Sequence, residues 1–362
     1  MLKIPLSCGL LLLSAHSPLL WAETTAQAAP ERNALGELIE TTVEDWGERV
    51  PQLLPAQSDR ATVPPQTETE DATKLDQHHG KWRRRIDTWA HGIDDWFGEP
   101  DPDRPASANV RLMLDQTWSE HEGYHVKPRI RGRIKLPTLE RRFSVVFGDD
   151  SLDDQLATSS QLQDNHSAVN SDKRYDARNT RESNQSLALR WSKGMKNIGV
   201  DTDLDLGVRS GDDVYVRAKA SKDWRIAEHV TTRAEQIYRY GIDSKHYVRS
   251  NFEIKHQRDG QPFIANQVDL TYADDDQDAG ISWGNTVLRE HQFFKGNRMS
   301  YGISASGSSK KSHFNSYGPF VSWRQPFLRD WFFVQADVNY KNNRDEDRDH
   351  EIGTFVRLEA IF

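Results

Sequence analysis

The chain has 362 residues and a formal net charge of −8, and its mean hydropathy is −0.79. One cysteine in such a length excludes a disulfide-rich scaffold and a thiolate metal site. The acidic balance gives no support for nucleic-acid binding, which needs a basic surface. The low mean hydropathy does not exclude a membrane barrel, because lipid-facing and interior-facing residues alternate along its strands and cancel in an average.

The start of the chain is typical of a secretory signal peptide. Lys3 is followed by an apolar run from Ile4 to Trp21 and then by small residues, which is too short a pattern for a transmembrane helix. We predict a signal peptide over residues 1–22, and cleavage after Ala28 is the alternative. The cysteine, Cys8, lies within this signal, so we expect no disulfide in the exported chain.

Residues 23–107 are predicted to form a periplasmic extension with two amphipathic helices. Apolar residues recur at helical spacing over about 33–49. Residues 50–80 carry few large apolar side chains, and such a composition predicts a disordered linker. The second helix places its large apolar side chains on one stripe, formed by Trp82, Ile86, Trp89, Ile93, Trp96 and Phe97.

Three tryptophans on one short helix allow three interpretations. Trp82, Trp89 and Trp96 could form a lid over a channel mouth, or they could bind a membrane surface. They could also pack the helix against the rest of the protein for stability alone. The sequence leaves these alternatives open.

From Asn109 onward the apolar residues alternate with polar ones, as the two faces of a β-strand do. The first strand shows the pattern, with Val110, Leu112 and Leu114 on one face and Arg111, Met113 and Asp115 on the other. Continued through residues 108–362, the pattern predicts fourteen strands. Twelve strands are the alternative, if the weak segments near 210–222 and 278–290 are not strands.

The connections between these strands differ in length in a regular way. The even-numbered connections are short and fall near Pro137, Gly194, Asp223-Trp224, Asp259-Gly260, Phe294-Gly296 and Pro326–Arg329. The odd-numbered ones include a long segment over 150–183 and two acidic runs. Short turns on one side and longer loops on the other are the rule in bacterial barrels.

The last two segments, 331–340 and 351–362, alternate apolar and polar residues and end on Phe362. This pair resembles the closing hairpin of a Gram-negative outer-membrane β-barrel. The resemblance implies that Val356, Leu358 and Phe362 form the signal that the barrel assembly machinery reads. An amphipathic edge hairpin of a soluble β-sandwich is the alternative interpretation.

Together the patterns predict an all-β fold, a transmembrane antiparallel β-barrel of about fourteen strands with a short helical N-terminal extension. The expected location is the outer membrane, with both termini in the periplasm. Expected partners are outer-membrane lipids, lipopolysaccharide and the barrel assembly machinery, with small solutes if the barrel conducts.

The predicted interior face is strongly charged. The alternation assigns to it Arg111, Lys127, Arg129, Arg131, Arg133, Lys135, Arg142, Asp201, Asp203, Asp205, Arg217, Arg233, Glu235, Arg249, Glu253, Asp269, Asp337, Arg357 and Glu359. Buried charges must be paired or hydrated. The basic residues of the second strand therefore form either an anion-selective lining or one half of a structural ion-pair network.

Three functions fit this sequence. The first is a channel for small polar or anionic solutes, and the second is a non-conducting structural or interaction barrel. The third is a lipid-modifying enzyme, for which the nearest Ser/His groupings are Asn165-His166-Ser167 and the serines at 304, 306, 308 and 309 near His313. None of these groupings is specific, so we assign no catalytic residue, cofactor or metal. The string Phe147-Gly-Asp-Asp-Ser151 stands out, but no activity attaches to it.

Overall fold

The structure is a computed structural model that describes residues 74–96, 106–120, 122–139, 142–153, 175–195, 197–210, 212–274, 280–293, 296–310, 314–343 and 350–362. The chain divides into two compact units, Met1–Ala56 and Gln57–Phe362, and every described residue lies in the second. The predicted signal peptide, the predicted helix over 33–49 and Phe97 lie outside the described residues.

Fourteen antiparallel strands form one closed barrel, in which each strand pairs with its sequence neighbours and β1 pairs with β14. This confirms the predicted fold class and fourteen strands rather than twelve. The strands are β1 (Ser107–Ser119), β2 (Gly123–Lys135), β3 (Phe143–Gly148), β4 (Leu187–Met195), β5 (Val200–Arg209), β6 (Asp213–Ala227), β7 (Val230–Gly241), β8 (Lys245–His256), β9 (Phe263–Ala273), β10 (Ile281–Gln292), β11 (Arg298–Ser308), β12 (Ser316–Phe327), β13 (Arg329–Asn343) and β14 (His350–Ile361).

Helical structure is limited to three segments of the described chain. Helix α1 spans Lys74–Trp96, a 3-10 helix spans Asp150–Asp153, and helix α2 spans Ala177–Asn184. Within the described residues, no helix is both long enough and apolar enough to cross a membrane.

Exposure alternates along the strands and separates an inner face from an outer one. On β6, Tyr215 and Arg217 are 2% and 3% exposed, whereas the intervening Val214 and Val216 are 42% and 46% exposed. Successive strand residues point to opposite sides of a sheet. The closed sheet therefore buries its polar and charged residues inside and presents apolar residues outside.

Aromatic side chains gather near both ends of the strands on the outer face. At the end where odd-numbered connections lie, they are Trp118, Tyr124, Tyr240, Tyr272, Trp283, Tyr317 and Tyr340. At the other end, which also carries α1 and is called the α1 end below, they include Trp191, Trp323 and Phe332. Two aromatic belts around an apolar band are expected where amphipathic rings sit at membrane–water interfaces.

Two of the predicted turn positions are wrong by a few residues, whereas the turn predicted at Pro326–Arg329 is confirmed. Gly194 lies within β4, and Asp223-Trp224 lies within β6, which continues to Ala227 with a register shift near its end. Leu328 alone connects β12 to β13, with a left-handed φ of 64°. Polar residues suggested a turn at Asp223, but its carboxylate instead pairs with Arg233 of β7 at 2.9 Å.

Strand β3 is short, so it pairs with only the second half of β2, from Arg131 to Lys135. In the first half of β2, before Arg131, Asn184 of α2 accepts a hydrogen bond from the Ile130 amide at 2.8 Å and donates one to the Pro128 carbonyl at 2.9 Å. The amide of Asp149 donates to the Ile130 carbonyl at 2.7 Å. Segments of the β3–β4 connection thus take the place of a longer strand.

Helix α1 begins at Lys74, so the predicted linker over 50–80 extends too far. The predicted contact stripe is also shifted. Ile86, Ala90 and Asp94 are buried, whereas Trp89 and Trp96 are 37% and 53% exposed.

Hydrogen bonds at the strand tips explain the shift. Asp94 accepts from the amide and hydroxyl of Thr138 at 3.1 and 2.7 Å. At the other end of α1, Asp76 pairs with Arg329 at 2.6 Å. These two acids turn the helix so that Trp89 and Trp96 do not lie in the contact.

Helix α1 packs along the ends of β13, β14, β1 and β2. His79 lies 2.9 Å from the Ile361 carbonyl, and its ring stacks on Trp331 and Phe362 with centroid distances of 4.0 and 4.7 Å. Ala90 joins an apolar cluster with Ala106, Ile134 and Leu136. Alternation places Ile134 on the outer face, so α1 covers the outer wall of the barrel at its end.

Candidate functional site

The structure places the predicted interior residues at three levels of exposure. Those on strand centres are buried, namely Arg129, Arg131, Asp205, Arg217, Glu235, Arg249, Asp337, Arg357 and Glu359. Partly exposed are Arg111, Lys127, Arg133, Asp203, Arg233, Glu253 and Asp269. Lys135, Arg142 and Asp201 lie at or beyond strand ends and are exposed.

The first group of buried charges joins β1, β2 and β14. Asp115 accepts two hydrogen bonds of 2.6 Å from Arg357 and lies 3.3 Å from Arg129. Arg129 in turn pairs with Asp149 at 2.6 Å and donates to the Ser151 hydroxyl at 2.7 Å. Two guanidinium groups and two carboxylates therefore balance one another inside the barrel.

A second group lies on β4, β5 and β6. Asp205 accepts two hydrogen bonds of 2.7 Å from Arg190 and one of 2.9 Å from Arg217. This carboxylate is 1% exposed, so two guanidinium groups replace its water shell. Nearby, Glu235 pairs with Lys219 at 2.9 Å and with Arg233 at 3.3 Å.

A third group lies near the α1 end. Glu359, which is fully buried, pairs with Arg111 at 2.5 Å and with Arg324. Arg324 also lies over the ring of Phe333, with 4.5 Å between the guanidinium carbon and the ring centroid. One carboxylate here serves two cations, so the group carries excess positive charge.

The string Phe147-Gly-Asp-Asp-Ser151 is where the chain leaves the barrel wall and enters the interior. Gly148 has a φ of 91°, a conformation that L side chains rarely adopt. A Cβ there would also overlap the Ile130 carbonyl oxygen. The glycine therefore allows the turn from β3 into the 3-10 helix.

Ion pairs hold this 3-10 helix and the preceding Asp149, together called the inward segment below, to separate strands of the wall. Asp149 binds Arg129 of β2, while Asp150 lies 3.2 Å from Arg239 of β7 and 3.8 Å from Arg209 of β5. Burial by itself would raise the pKa of Asp149, but the adjacent Arg129 guanidinium outweighs burial and holds that pKa below its ordinary value. The Asp149 carboxylate that holds the inward segment is thus ionised at neutral pH.

Next to the inward segment lies a cavity of about 610 Å³. Its lining combines four arginines with two aromatic rings and a few polar groups: Arg111, Arg298, Arg324, Arg357, Phe293, Phe333, Leu152, Gln292, Gly296 and Asn297. Leu152 belongs to the inward segment, so this segment forms one side of the cavity and β10 to β14 and β1 form the other.

The cavity has more positive than negative charge around it. Glu359 neutralises only one of the two positive charges of Arg111 and Arg324, and Asp115 is shared by Arg357 and Arg129. Among the described residues, Arg298 makes no ion pair within 4.0 Å. Such a surplus in a confined space attracts anions.

Sequence reasoning missed Arg298, Arg324 and Leu152 in this site. The two arginines lie opposite each other in the β11–β12 register, and the same alternation that assigned the other strands would have placed both inside. The sequence could not assign Leu152 to the site, because the composition of a loop does not show whether the loop turns into the barrel.

The residues considered for catalysis are not brought together in the described structure. Ser304 and Ser308 are buried on the inner face, whereas the enzyme hypothesis needs them outside, close to lipid. Asn165, His166, Ser167 and His313 lie outside the described residues. In the part of the chain that is described, no group of three His, Cys, Asp or Glu side chains is placed to hold a metal.

The predicted assembly-signal residues Val356, Leu358 and Phe362 lie on the outer face at partial exposure. Phe362 continues the closing pairing beyond β14, because its backbone exchanges hydrogen bonds with Val110 at 2.8 and 3.2 Å.

A closed antiparallel barrel with an even strand number, an apolar outer band between aromatic belts and a charged interior defines the transmembrane β-barrels of outer membranes. No family model and no curated protein matches the sequence. Among solved structures, the chain is similar to OprB of Pseudomonas putida, with 8% identity and a TM-score of 0.44 over 71% of this chain and 94% of that one.

Two further solved structures show the same degree of likeness. A mutant porin of Rhodopseudomonas blastica has 11% identity and a TM-score of 0.39 over 71% of this chain and 100% of its own. OccK11 of Pseudomonas aeruginosa has 6% identity and a TM-score of 0.39 over 71% and 96%. With identities this low, the class assignment rests on the geometry of this barrel.

Proposed function

We propose that the chain is an outer-membrane channel for small anionic solutes, whose route passes the arginine-lined cavity. Its termini and α1 then face the periplasm, and outer-membrane lipids, lipopolysaccharide and the barrel assembly machinery are its partners. The observation that carries this proposal is the charge around the cavity: among the described residues, three of its four arginines pair with two carboxylates, Glu359 and Asp115, and Arg298 pairs with neither.

The position of the arginines supports a path along which anions pass through the barrel, rather than a closed cavity that only binds them. Arg298, Arg324, Gln335, Arg357 and Asp115 are successive register partners on five neighbouring strands. Neighbouring inner-face residues of this kind form a band around one side of the bore. Three of these five residues are arginines, so an anion at this level of the bore meets several cations, and rings of Arg and Lys select anions in pores.

The inward segment supports selectivity for small solutes. Its ion pairs with Arg129 and Arg239 fix it in the interior, so it narrows the bore next to the cavity at Leu152. A solute that crosses the cavity passes between an apolar side chain and a row of guanidinium groups. Carboxylates with a short apolar body match this pair of surfaces.

Planar-bilayer recordings in a salt gradient test the proposal. We expect the wild-type reversal potential to show anion preference, and R298Q to reduce that preference while R298E reduces it further. Arg298 is the suitable position because its replacement breaks no ion pair among the described residues.

Arg289 provides a matched control. It lies on β10, beside β11, but on the exposed outer face, so R289Q should leave the reversal potential unchanged. Equal effects of R298Q and R289Q would show that the cavity does not line the route. Wild-type barrels that insert but never conduct would contradict the channel itself.

A specific observation also favours the second candidate, a non-conducting structural barrel. Many inner-face charges are buried and paired, including Arg217, Asp205 and Glu359, as in a side-chain-filled interior. The recordings above separate the two candidates, because a filled barrel gives no current.

A further inference from the structure

Helix α1 presents two unlike flanks on either side of its contact face. At about 100° per residue, the face that packs on the barrel is centred on His79, Ile86 and Ala90. Asp76 and Asp94 project to one side of that face. Trp82, Trp89 and Trp96 project to the other side, roughly 140° from the acids.

The acid flank points toward the tips of the strands. Asp94 binds Thr138 in the β2–β3 connection, and Asp76 binds Arg329 directly after the β12–β13 connection. Both partners mark the outermost level of the α1 end. The opposite flank of the helix must therefore point back along the barrel, toward the membrane.

The apolar contacts of α1 show that this direction runs along the outside. Ile93, on the tryptophan side of the contact face, packs against the cluster that contains Ile134. Val145 and Leu189 of the outer face join the same cluster. Ile134 is only 5% exposed, whereas outer-face Leu204 is 46% exposed, so α1 covers the wall at this end.

The exposed tryptophans thus stand beside the aromatic belt of the α1 end. Trp89 and Trp96 are 37% and 53% exposed. Burying a tryptophan side chain inside the protein would stabilise the fold far more than leaving it exposed to water. Tryptophan is enriched at membrane–water interfaces because its ring is amphipathic. Their level on the barrel matches that environment.

A run of cations accompanies the stripe. Lys81 and Arg85 are exposed, and the Arg85 guanidinium lies 5.3 Å from the centroid of the Trp82 ring. Basic side chains next to interfacial aromatics are the combination by which surface helices bind anionic lipids. Of the four acids on α1, Asp94 and Asp76 are engaged at Thr138 and Arg329, and Asp87 and Asp95 project roughly 100° or more away from the tryptophans.

We propose that α1 is a membrane-interface helix, whose tryptophan stripe and cation run bind anionic phospholipid headgroups in the leaflet at the α1 end. Because the short connections at this end are expected in the periplasm, that leaflet is the periplasmic one. The inference holds whether or not the barrel conducts, since it concerns the outer surface only.

Site-directed spin labelling of the full chain in vesicles tests the proposal. Labels are placed at W89C and W96C in a C8S background, and their accessibility to oxygen and to a water-soluble nickel reagent is measured. We expect both labels to favour oxygen, as lipid-embedded sites do. Q77C, an exposed site on the far side of the helix, is the aqueous control, and V338C on the outer wall is the lipid control.

Lipid composition tests the cation run. In phosphatidylglycerol vesicles, K81Q with R85Q should shift the 96 label toward nickel accessibility, whereas in phosphatidylcholine vesicles the change should be smaller. Labels at 89 and 96 that are as aqueous as Q77C would overturn the proposal. So would a rise in conductance in W89A with W96A, which would instead indicate a lid over the channel mouth.

Discussion

Asp115 of β1 accepts two hydrogen bonds of 2.6 Å from the Arg357 guanidinium of β14. The two residues are register partners across the closure of the barrel, and Arg357 is 1% exposed. A bidentate pair of this kind fixes both distance and direction between its partners. It therefore specifies which residue of the last strand lies opposite which residue of the first.

Removal of Arg357 should destabilise the barrel strongly. R357A leaves Asp115 buried with only the longer contact to Arg129, and breaking one side of a buried pair costs about 3–5 kcal/mol. Urea unfolding in lipid vesicles, followed by tryptophan fluorescence, measures the loss. The exposed pair of Arg178 and Glu182 is the control, and R178A should scarcely change the unfolding midpoint.

Arginine on the outer face should be costly in the same assay. Leu204 is 46% exposed on the outside of β5, and L204R should cost about 2–4 kcal/mol if it lies near the bilayer midplane. D201R, at the exposed start of the same strand, introduces the same side chain close to water and should cost much less. Equal losses would contradict a lipid-facing outer surface.

The contact between His79 and Phe362 allows assembly and helix docking to be separated. F362A removes the stacking partner and the outer-face aromatic together, so it should lower the yield of heat-modifiable barrel. H79A removes the stacking and the contact with the Ile361 carbonyl but keeps Phe362, so the barrel should form normally while α1 becomes more sensitive to protease. A normal yield of F362A would exclude Phe362 as an assembly determinant.

Acid should release the inward segment. The pKa of Asp149 lies below its ordinary value in the folded barrel, so its ion pair stabilises the segment above the unfolded pKa. This contribution is lost as pH falls through the folded pKa, when the carboxylate takes up a proton. Hydrogen exchange at 150–153 should therefore accelerate at strongly acidic pH.

D149N should mimic the acid state at neutral pH. The amide cannot pair with Arg129 as a charge, so exchange at 150–153 should already be fast and should respond less to acid. S151A removes the hydroxyl that accepts from the same guanidinium and donates to Asp149, but it leaves the ion pair in place and is the milder control. If exchange in D149N matched wild type at neutral pH, the ion pair would not be what holds the segment.

The fold was largely predictable because its signal is periodic. All fourteen strands follow from alternation at a spacing of two, since one face meets lipid and the other does not. The boundary errors occur where polar residues lie at the barrel ends. Asp223 reads as a turn residue, yet it extends β6 because its side chain pairs across to Arg233.

The site was predictable only on the wall. Alternation assigned Arg129, Asp205 and Glu359 to the inner face, but their partners depend on register and on three-dimensional proximity, which spacing alone does not give. The inward segment depends on the conformation of Gly148 and on ion pairs to distant strands. The burial of Asp94 and the exposure of Trp96 were missed because helical periodicity shows only which side chains share a face. It does not show that residues at the strand ends bind the acids.

The short β3 has a mechanical consequence. Between Gly123 and Ile130, β2 meets α2 and the Asp149 backbone instead of a full ladder of strand hydrogen bonds. A closed barrel under load opens where the fewest backbone hydrogen bonds join its neighbouring strands. When this barrel is pulled or heated, it should therefore split along its length beside β3, where β2 and β4 are not joined directly. The hydrogen bonds from Asn184 to β2 should be the first to break.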